Sequence, residues 1–294
     1  MNFGIFLNRI KTAIIIGIIF SLLSVVVYYI SYALGFGKYA IVLSLGISTL
    51  TSLFSYWNSD KIVIKMNRAY LADPFIHRQA FDALNRVCES AQIETPKLYI
   101  MNDNSPNAFA TGRNPKNAVV CLTTGLIEKH DYYQLEGVIA HEVAHIKNYD
   151  ILLSTIASVM IGVIIMASDL WRRSLWFSSP RRRNDENSNG NILALIGLIF
   201  IIIAPIAGQL LRFSLSRNRE YLADSTGASF TGNPEGLASA LEIISSTEIP
   251  LKTASNATAN MFISDPMYIT RKVSNLFSTH PPISERVKRL RGYR

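Results

Sequence analysis

The chain has 294 residues, 49% of them apolar, and 29 Lys and Arg against 21 Asp and Glu give a net charge of +8. That length allows one large domain or two small ones, and a basic balance beside long apolar runs points to an anionic membrane surface rather than to nucleic acid. The two cysteines, Cys88 and Cys121, lie far apart with no C-x-x-C pattern, which argues against a disulfide framework and against a cysteine zinc site.

Residues 12–34 carry no charge and are dominated by Ile, Leu, Val and Tyr. The run exceeds the roughly 20 residues that cross a bilayer, and no small-residue cleavage site follows it, so it reads as an uncleaved transmembrane helix. A short link at 35–38 leads to a second uncharged run, 39–57, and the two make a hairpin with Tyr28, Tyr29, Tyr32, Tyr39, Tyr56 and Trp57 near the interfaces. Arg9 and Lys11 precede the hairpin and Lys61, Lys65 and Arg68 follow it, against a lone Lys38 in the turn. Positive charge on both flanks places the N-terminus and residue 60 onward in the cytoplasm.

From 58 to 150 the composition is that of soluble protein. Phe75, Ala80, Leu84 and Val87 repeat at near-helical spacing and predict a helix over 74–91. Strands are expected at 96–101, 107–112 and 118–123, separated by turn-rich segments, and together they form a small sheet. Asp131 followed by Gln134 resembles a capping box, and the apolar spacing of Tyr133, Leu135, Val138 and Ile139 carries that helix into His141-Glu142-Val143-Ala144-His145. Positions four apart share a helix face, so His141 and His145 project side by side toward one zinc ion, with Glu142 beside them as a general base. Alone, H-E-x-x-H is short enough to occur by chance on a buried helix.

Two more uncharged runs follow, 151–168 and 191–211, joined by a connector with Arg172, Arg173, Arg181, Arg182 and Arg183. If both runs cross, this basic connector lies outside, against the positive-inside rule. Any later residue that meets the histidines must return to their side, which an even number of crossings, or none, satisfies. A shallow or re-entrant hairpin and a pair of buried core helices both fit. Beyond it, helices are expected at 214–224, 234–245 (capped by Asn233) and 282–290, and the small polar tract 253–260 reads as the most mobile loop. The fold class is an α+β membrane protein, mostly helical, with a small sheet beside the H-E-x-x-H helix and about four hydrophobic helices. Its segments are a transmembrane hairpin (1–57), a cytoplasmic protease part (58–150), a second hydrophobic hairpin (151–211) and a C-terminal protease part (212–294).

A catalytic zinc takes three protein ligands and keeps a fourth position for water. No G-x-x-H follows His145, so the third ligand comes from a distant segment. Glu220 is the best candidate, because Asp224 one turn on can accept the free N–H of a zinc-bound imidazole. His280 is a rival ligand, and a surface helix whose Glu220 and Asp224 offset Arg217 and Arg219 is the plain alternative. His77 and His130 read as packing or surface residues.

With these residues in place the chain resembles the membrane-embedded zinc metalloproteases of the HtpX type, relatives of the CAAX prenyl endopeptidase within the gluzincins. The likeness runs nearly end to end: the N-terminal hairpin, Asn107-Ala108-Phe109-Ala110-Thr111-Gly112, the motif from His141 to Asp150, two further hydrophobic runs, Arg219-Glu220-Tyr221-Leu222-Ala223-Asp224, and Thr279-His280-Pro281-Pro282 with Arg286. The resemblance implies one zinc ion held by His141, His145 and Glu220, Glu142 as catalytic base, an active site on the cytoplasmic side of a bacterial inner membrane, and a stress-response role in membrane-protein quality control. The poorest match is the Arg-rich connector. The expected reaction is zinc-assisted peptide hydrolysis, on protein substrates that are mainly membrane proteins. Asn107, Ala108, Phe109 and Ala110 would form an edge strand that pairs with substrate backbone, or a plain internal strand. His280 and Arg286 would stabilise the oxyanion or place substrate, unless Pro281-Pro282 simply starts the last helix. The alternatives are a non-hydrolytic zinc-binding scaffold or chaperone, a prenyl-protein-type processing protease, and a transporter, the last disfavoured because the apolar runs hold almost no ionisable residues.

Overall fold

The computed structural model describes residues 35–156, 158–159, 217–247, 249–254, 257–264 and 281–292, with scattered positions between 10 and 32. Ten of the 23 residues of the first hydrophobic run, nearly all of the third beyond 156, the Arg-rich connector, the fourth run and His280 lie outside the described residues.

A 3₁₀ turn, Gly37–Tyr39, enters helix α1, Ala40–Met66. Among the described residues, this is the one helix long and apolar enough to cross a membrane. Val42, Leu50 and Phe54 along it are exposed, the arrangement expected where lipid rather than protein covers a helix. The helix does not stop at the end of the apolar run. It continues to Met66, and Val63 and Ile64 in that extension pack with Met101, Phe109 and Val119 of the sheet. The apolar helix is thereby fastened to the protein that follows it.

Strand β1 (Tyr70–Leu71) leads to helix α2 (Arg78–Ala91), then strands β2 (Lys97–Met101), β3 (Ala108–Gly112) and β4 (Ala118–Thr123). The sheet order is β1-β2-β4-β3, with β2 and β4 parallel and both outer pairs antiparallel. Sequence reading expected three strands; β1 escaped it because two residues carry no periodicity. Helix α2 begins four residues later than expected. Asp73 Oδ1 accepts from the Phe75 and Ile76 amides, a local turn that competes with helix, and Phe75 is left 93% exposed rather than on the buried face.

Helix α3 (Thr124–Lys129), capped by Thr123, leads to α4 (Tyr132–Lys147), whose expected capping box is present. The Asp131 carboxylate accepts from the Gln134 amide at 2.9 Å and Gln134 Oε1 accepts from the Asp131 amide at 3.0 Å. Residues 135–144 of α4 are all buried. It is surrounded by the sheet, by α2, and by α5 (Arg217–Thr231) and α6 (Pro234–Ser246), with α7 (Ile283–Gly292) packed on α6. Leu84, Ile100, Leu122, Val138, Ile139, Leu241 and Leu290 form one core. Each such side chain contributes about 1.5–3 kcal/mol on leaving water.

Two glycines let α4 sit this deep. A Cβ at Gly137 would lie 2.5 Å from the Leu237 amide of α6, and one at Gly227 of α5 would lie 2.9 Å from the Ala140 carbonyl carbon. The tract 253–260, expected as the mobile loop, is pinned at its described residues. Asp103 Oδ2 accepts from the Lys252 and Thr253 amides and the Thr253 hydroxyl, and Thr258 donates to Asn67 at 2.7 Å. Small polar side chains read as loop in sequence, and here they find buried acceptors.

Glu136 is one carboxylate that α4 carries inward. It is 2% exposed, Arg86 Nε stands 3.2 Å from it, and Oε1 makes no hydrogen bond. Burial raises its pKa above the ordinary carboxylate range, with Arg86 pulling the other way. A folded pKa above the unfolded one means stability is greatest when the group is protonated and is lost as pH rises through it. Glu136→Gln is therefore expected to raise the melting temperature at pH 7 by about 2–4 °C, the shift that about 1 kcal/mol produces in a domain of this size. Thermal melts at pH 7 and pH 4 check this: the gain should vanish at pH 4, and a lower melting temperature at pH 7 would contradict it.

Candidate metal centre

The close crossing of α4 and α5 at Ala140 and Gly227 sets Glu220, two helical turns earlier on α5, against the histidine face of α4. His141 Nε2 lies 3.2 Å from His145 Nε2 and 3.7 Å from Glu220 Oε2, and His145 Nε2 lies 3.5 Å from Glu220 Oε1. Ligand atoms about 2.0–2.2 Å from a tetrahedral zinc are about 3.3–3.6 Å from one another. The three side chains thus match the spacing one ion requires, and they are the group of His, Cys, Asp or Glu found able to share an ion among the described residues. The sequence candidates His141, His145 and Glu220 are brought together; the rival His280 lies outside the described residues.

Each histidine is oriented from behind. His141 Nδ1 lies 3.0 Å from Asp224 Oδ1, so its N–H goes to the carboxylate and Nε2 keeps its lone pair. Arg286 grips Asp224 at both oxygens, Nε at 2.9 Å and Nη2 at 2.7 Å. His145 Nδ1 lies 3.4 Å from Asp150 Oδ2, and Arg219 Nη1 stands 3.7 Å from the other Asp150 oxygen. The two imidazoles are held by parallel constructions, carboxylate then guanidinium.

Asp150 reaches His145 through a chain reversal. Helix α4 ends at Lys147; the Asp150 amide donates back to the His145 carbonyl and the Tyr149 amide to the Ile146 carbonyl, a Schellman pattern. Tyr149 sits at φ 61° in the left-handed region that this turn requires. Glycine usually fills such a position, and Tyr there strains the backbone by about 1 kcal/mol. This is why sequence reading passed over Asp150. On a continuing helix, position i+5 faces away from i, and the left-handed position itself holds Tyr149 rather than Gly or Asn.

The electrostatics follow from burial and these partners. Burial, then the Arg286 charge, lowers the His141 pKa to about 4, against the pull of Asp224. Burial alone would lower His145 too, but Asp150 and Glu220 lift it to about 9. Burial raises Glu142 to about 7, against the pull of His145 and with the Glu220 charge adding to the rise. Burial would raise Asp224, yet Arg286 holds it near 2. Glu142, Asp150, Glu220 and Asp224 around two imidazoles make an acidic nest that suits a cation, and a buried carboxyl near 7 can both take and return a proton.

The cavity in front of these groups is lined by Ala110, His141, Glu142, His145, Asp150, Ile151, Ser154, Arg219, Glu220 and 260–263. Strand β3 is an edge strand of the sheet. Of the four residues expected to pair with substrate, Ala110 lines this cavity and its backbone faces Glu142. Phe109 turns the other way, edge-on to Phe262 with ring centroids 5.0 Å apart. Asn107 holds Ser264 through its side chain, and the Ala108 carbonyl accepts from the Ile263 amide at 3.0 Å. Arg286 is fully buried, bonded to Asp224 and to the Ile263 carbonyl, with Nη1 3.7 Å from Glu220 Oε2, and it is not among the residues that line the cavity.

The sequence profile of peptidase family M48 matches residues 76–294. A "Protease HtpX homolog" of Dictyoglomus thermophilum is 45% identical over 288 residues, 97% of this chain and 92% of that protein. One from Dictyoglomus turgidum is 46% identical with the same coverage, and one from Caldanaerobacter subterraneus is 45% identical over 96% of this chain and 94% of its own. Among solved structures, S. mikatae Ste24p aligns with 98% of this chain and 66% of that chain, at a TM-score of 0.44 and 14% identity.

If Asp150 orients His145, Asp150→Asn should weaken metal binding about 10-fold or more while leaving the fold intact. Competition against a chromogenic zinc chelator measures this, and parent-like affinity would contradict the assignment.

Proposed function

The chain belongs to peptidase family M48 and is a metalloprotease, and we propose that it is a membrane-embedded zinc endopeptidase acting on misfolded or damaged membrane proteins at the cytoplasmic face. The observation that carries the chemistry is the convergence of His141 Nε2 and His145 Nε2, 3.2 Å apart, with the Glu220 carboxylate, whose oxygens lie 3.7 and 3.5 Å from them. The membrane setting is supported by the exposed apolar length of α1 and by the basic residues flanking it. Ile151 and Ser154, in the opening turns of the third apolar run, line the same cavity, so the wall of the site passes directly into a hydrophobic segment. This favours substrates presented at a membrane surface.

In this reading His141, His145 and Glu220 hold the ion, and Asp224 and Asp150 fix which imidazole nitrogen faces it. Zinc bound there would supply Lewis acidity toward the scissile carbonyl and the attacking water. Glu142 accepts the proton of the attacking water and passes it to the leaving amine nitrogen. Its burial beside Ala110 keeps it out of bulk solvent and poised near neutrality. Arg286 positions rather than touches: by clamping Asp224 it sets the His141 ring.

Glu142→Gln should retain zinc and lose about 10²–10⁴-fold in casein cleavage, the usual contribution of a general base. Equal, chelator-insensitive cleavage by parent and variant would sink the protease mechanism. Glu220→Ala is expected to come out of purification without zinc, read by elemental analysis. Full zinc retention would shift the third ligand to His280 or elsewhere.

A further inference from the structure

Asn260 lies in the 3₁₀ turn Ala259–Met261, which packs on β3, and it lines the cavity that holds Ala110, Glu142 and Glu220. It is 6% exposed. Ser158 Oγ donates to its Oδ1 at 3.2 Å, which fixes the amide plane and turns the nitrogen to the other side. Among the described residues that nitrogen, Nδ2, has no hydrogen-bond partner. A buried amide donor without an acceptor is unfavourable, and nearly all such groups in folded proteins are paired. An unpaired donor oriented by a neighbour inside a candidate active site is therefore a group waiting for a ligand's acceptor.

The edge of β3 says where that acceptor comes from. At Ala108 both outward backbone groups are taken, the amide by Asn107 Oδ1 and the carbonyl by the Ile263 amide. An extended peptide cannot pair there. The part of the edge that faces the cavity is Ala110, next to Glu142 and to the turn bearing Asn260. A peptide lying in the cavity carries a carbonyl acceptor at every residue, the partner an amide N–H requires. We propose that Asn260 Nδ2 donates a hydrogen bond to a backbone carbonyl of the bound substrate, so that Asn260 is a substrate-binding residue and the Ala110 end of β3 is where the peptide enters.

The proposal rests on the protease reading above, and its test separates the two. Asn260→Ala removes the donor; Asn260→Asp also removes it while keeping the volume and the oxygen that Ser158 uses. Both are placed in the zinc-loaded full chain and in the Glu142→Gln background, with zinc content and melting temperature measured for each. Cleavage of fluorescein-labelled casein by the parent against Glu142→Gln tests the protease reading. Anisotropy of the same casein on the Glu142→Gln chain tests Asn260 without any turnover. The expected result is about tenfold weaker casein binding for both Asn260 variants in that background, matched by about a tenfold rise in KM with kcat within about twofold in the active chain. Casein affinity unchanged by Asn260→Asp at full zinc content would overturn the proposal, and so would a fall in kcat with KM unmoved.

Discussion

Everything in the site depends on how closely α5 can lie on α4. At their crossing the α5 backbone at Gly227 stands so near Ala140 and His141 that a single added carbon would meet main-chain atoms at 2.9 Å. That approach lets a short carboxylate side chain, Glu220, reach the nitrogens of two histidines on the neighbouring helix. A bulkier residue at the crossing would force the axes apart, and the 3.5–3.7 Å spacings around the candidate ion would open with them. Gly137 serves the other flank of α4 in the same way, against α6. The histidine helix is positioned by side chains that it and its neighbour lack.

The second constraint is charge. A fully buried arginine, four mostly buried carboxylates and two imidazoles occupy one small volume. Isolated, any of these groups would be strongly unfavourable in the interior. Most persist because they are paired: Arg286 with Asp224, Asp224 with His141, Arg219 with Asp150, Asp150 with His145, and Glu220 beside His145 and Arg286; burial instead shifts Glu142 toward its neutral form. The same pairing does functional work in the proposed mechanism. A ring tautomer fixed from behind leaves the lone pair in front, and removing a rear partner would both loosen the ring and strand a charge. Stability and chemistry here draw on one set of contacts.

Much of this was legible in the chain. The spacing of His141 and His145, the capping box at Asp131 and Gln134, the Asn233 cap and the strand at Ala118–Thr123 are local signals, and local signals survive into the fold. The placement of Asp224 behind His141 was also readable, because four residues separate it from Glu220 on one helix. What escaped depends on contacts between distant segments. Asp150 returns to His145 only through a left-handed Tyr149. The 263–264 segment takes the Asn107–Ala108 edge from across more than 150 residues of sequence, and a strand's own residues cannot say what will lie beside it. Arg286 came to notice through the family resemblance, as a group for the oxyanion or for substrate. Its burial behind Asp224 makes it part of the frame.

The central claim is that one ion is held by two imidazole nitrogens and one carboxylate, from helices far apart in sequence. X-ray absorption at the zinc edge of the purified, zinc-loaded chain tests it most directly. The account predicts a shell of nitrogen and oxygen at about 2.0–2.2 Å, with the multiple-scattering signature of two imidazoles and no sulfur. A sulfur shell near 2.3 Å, or the signature of a single imidazole, would contradict it.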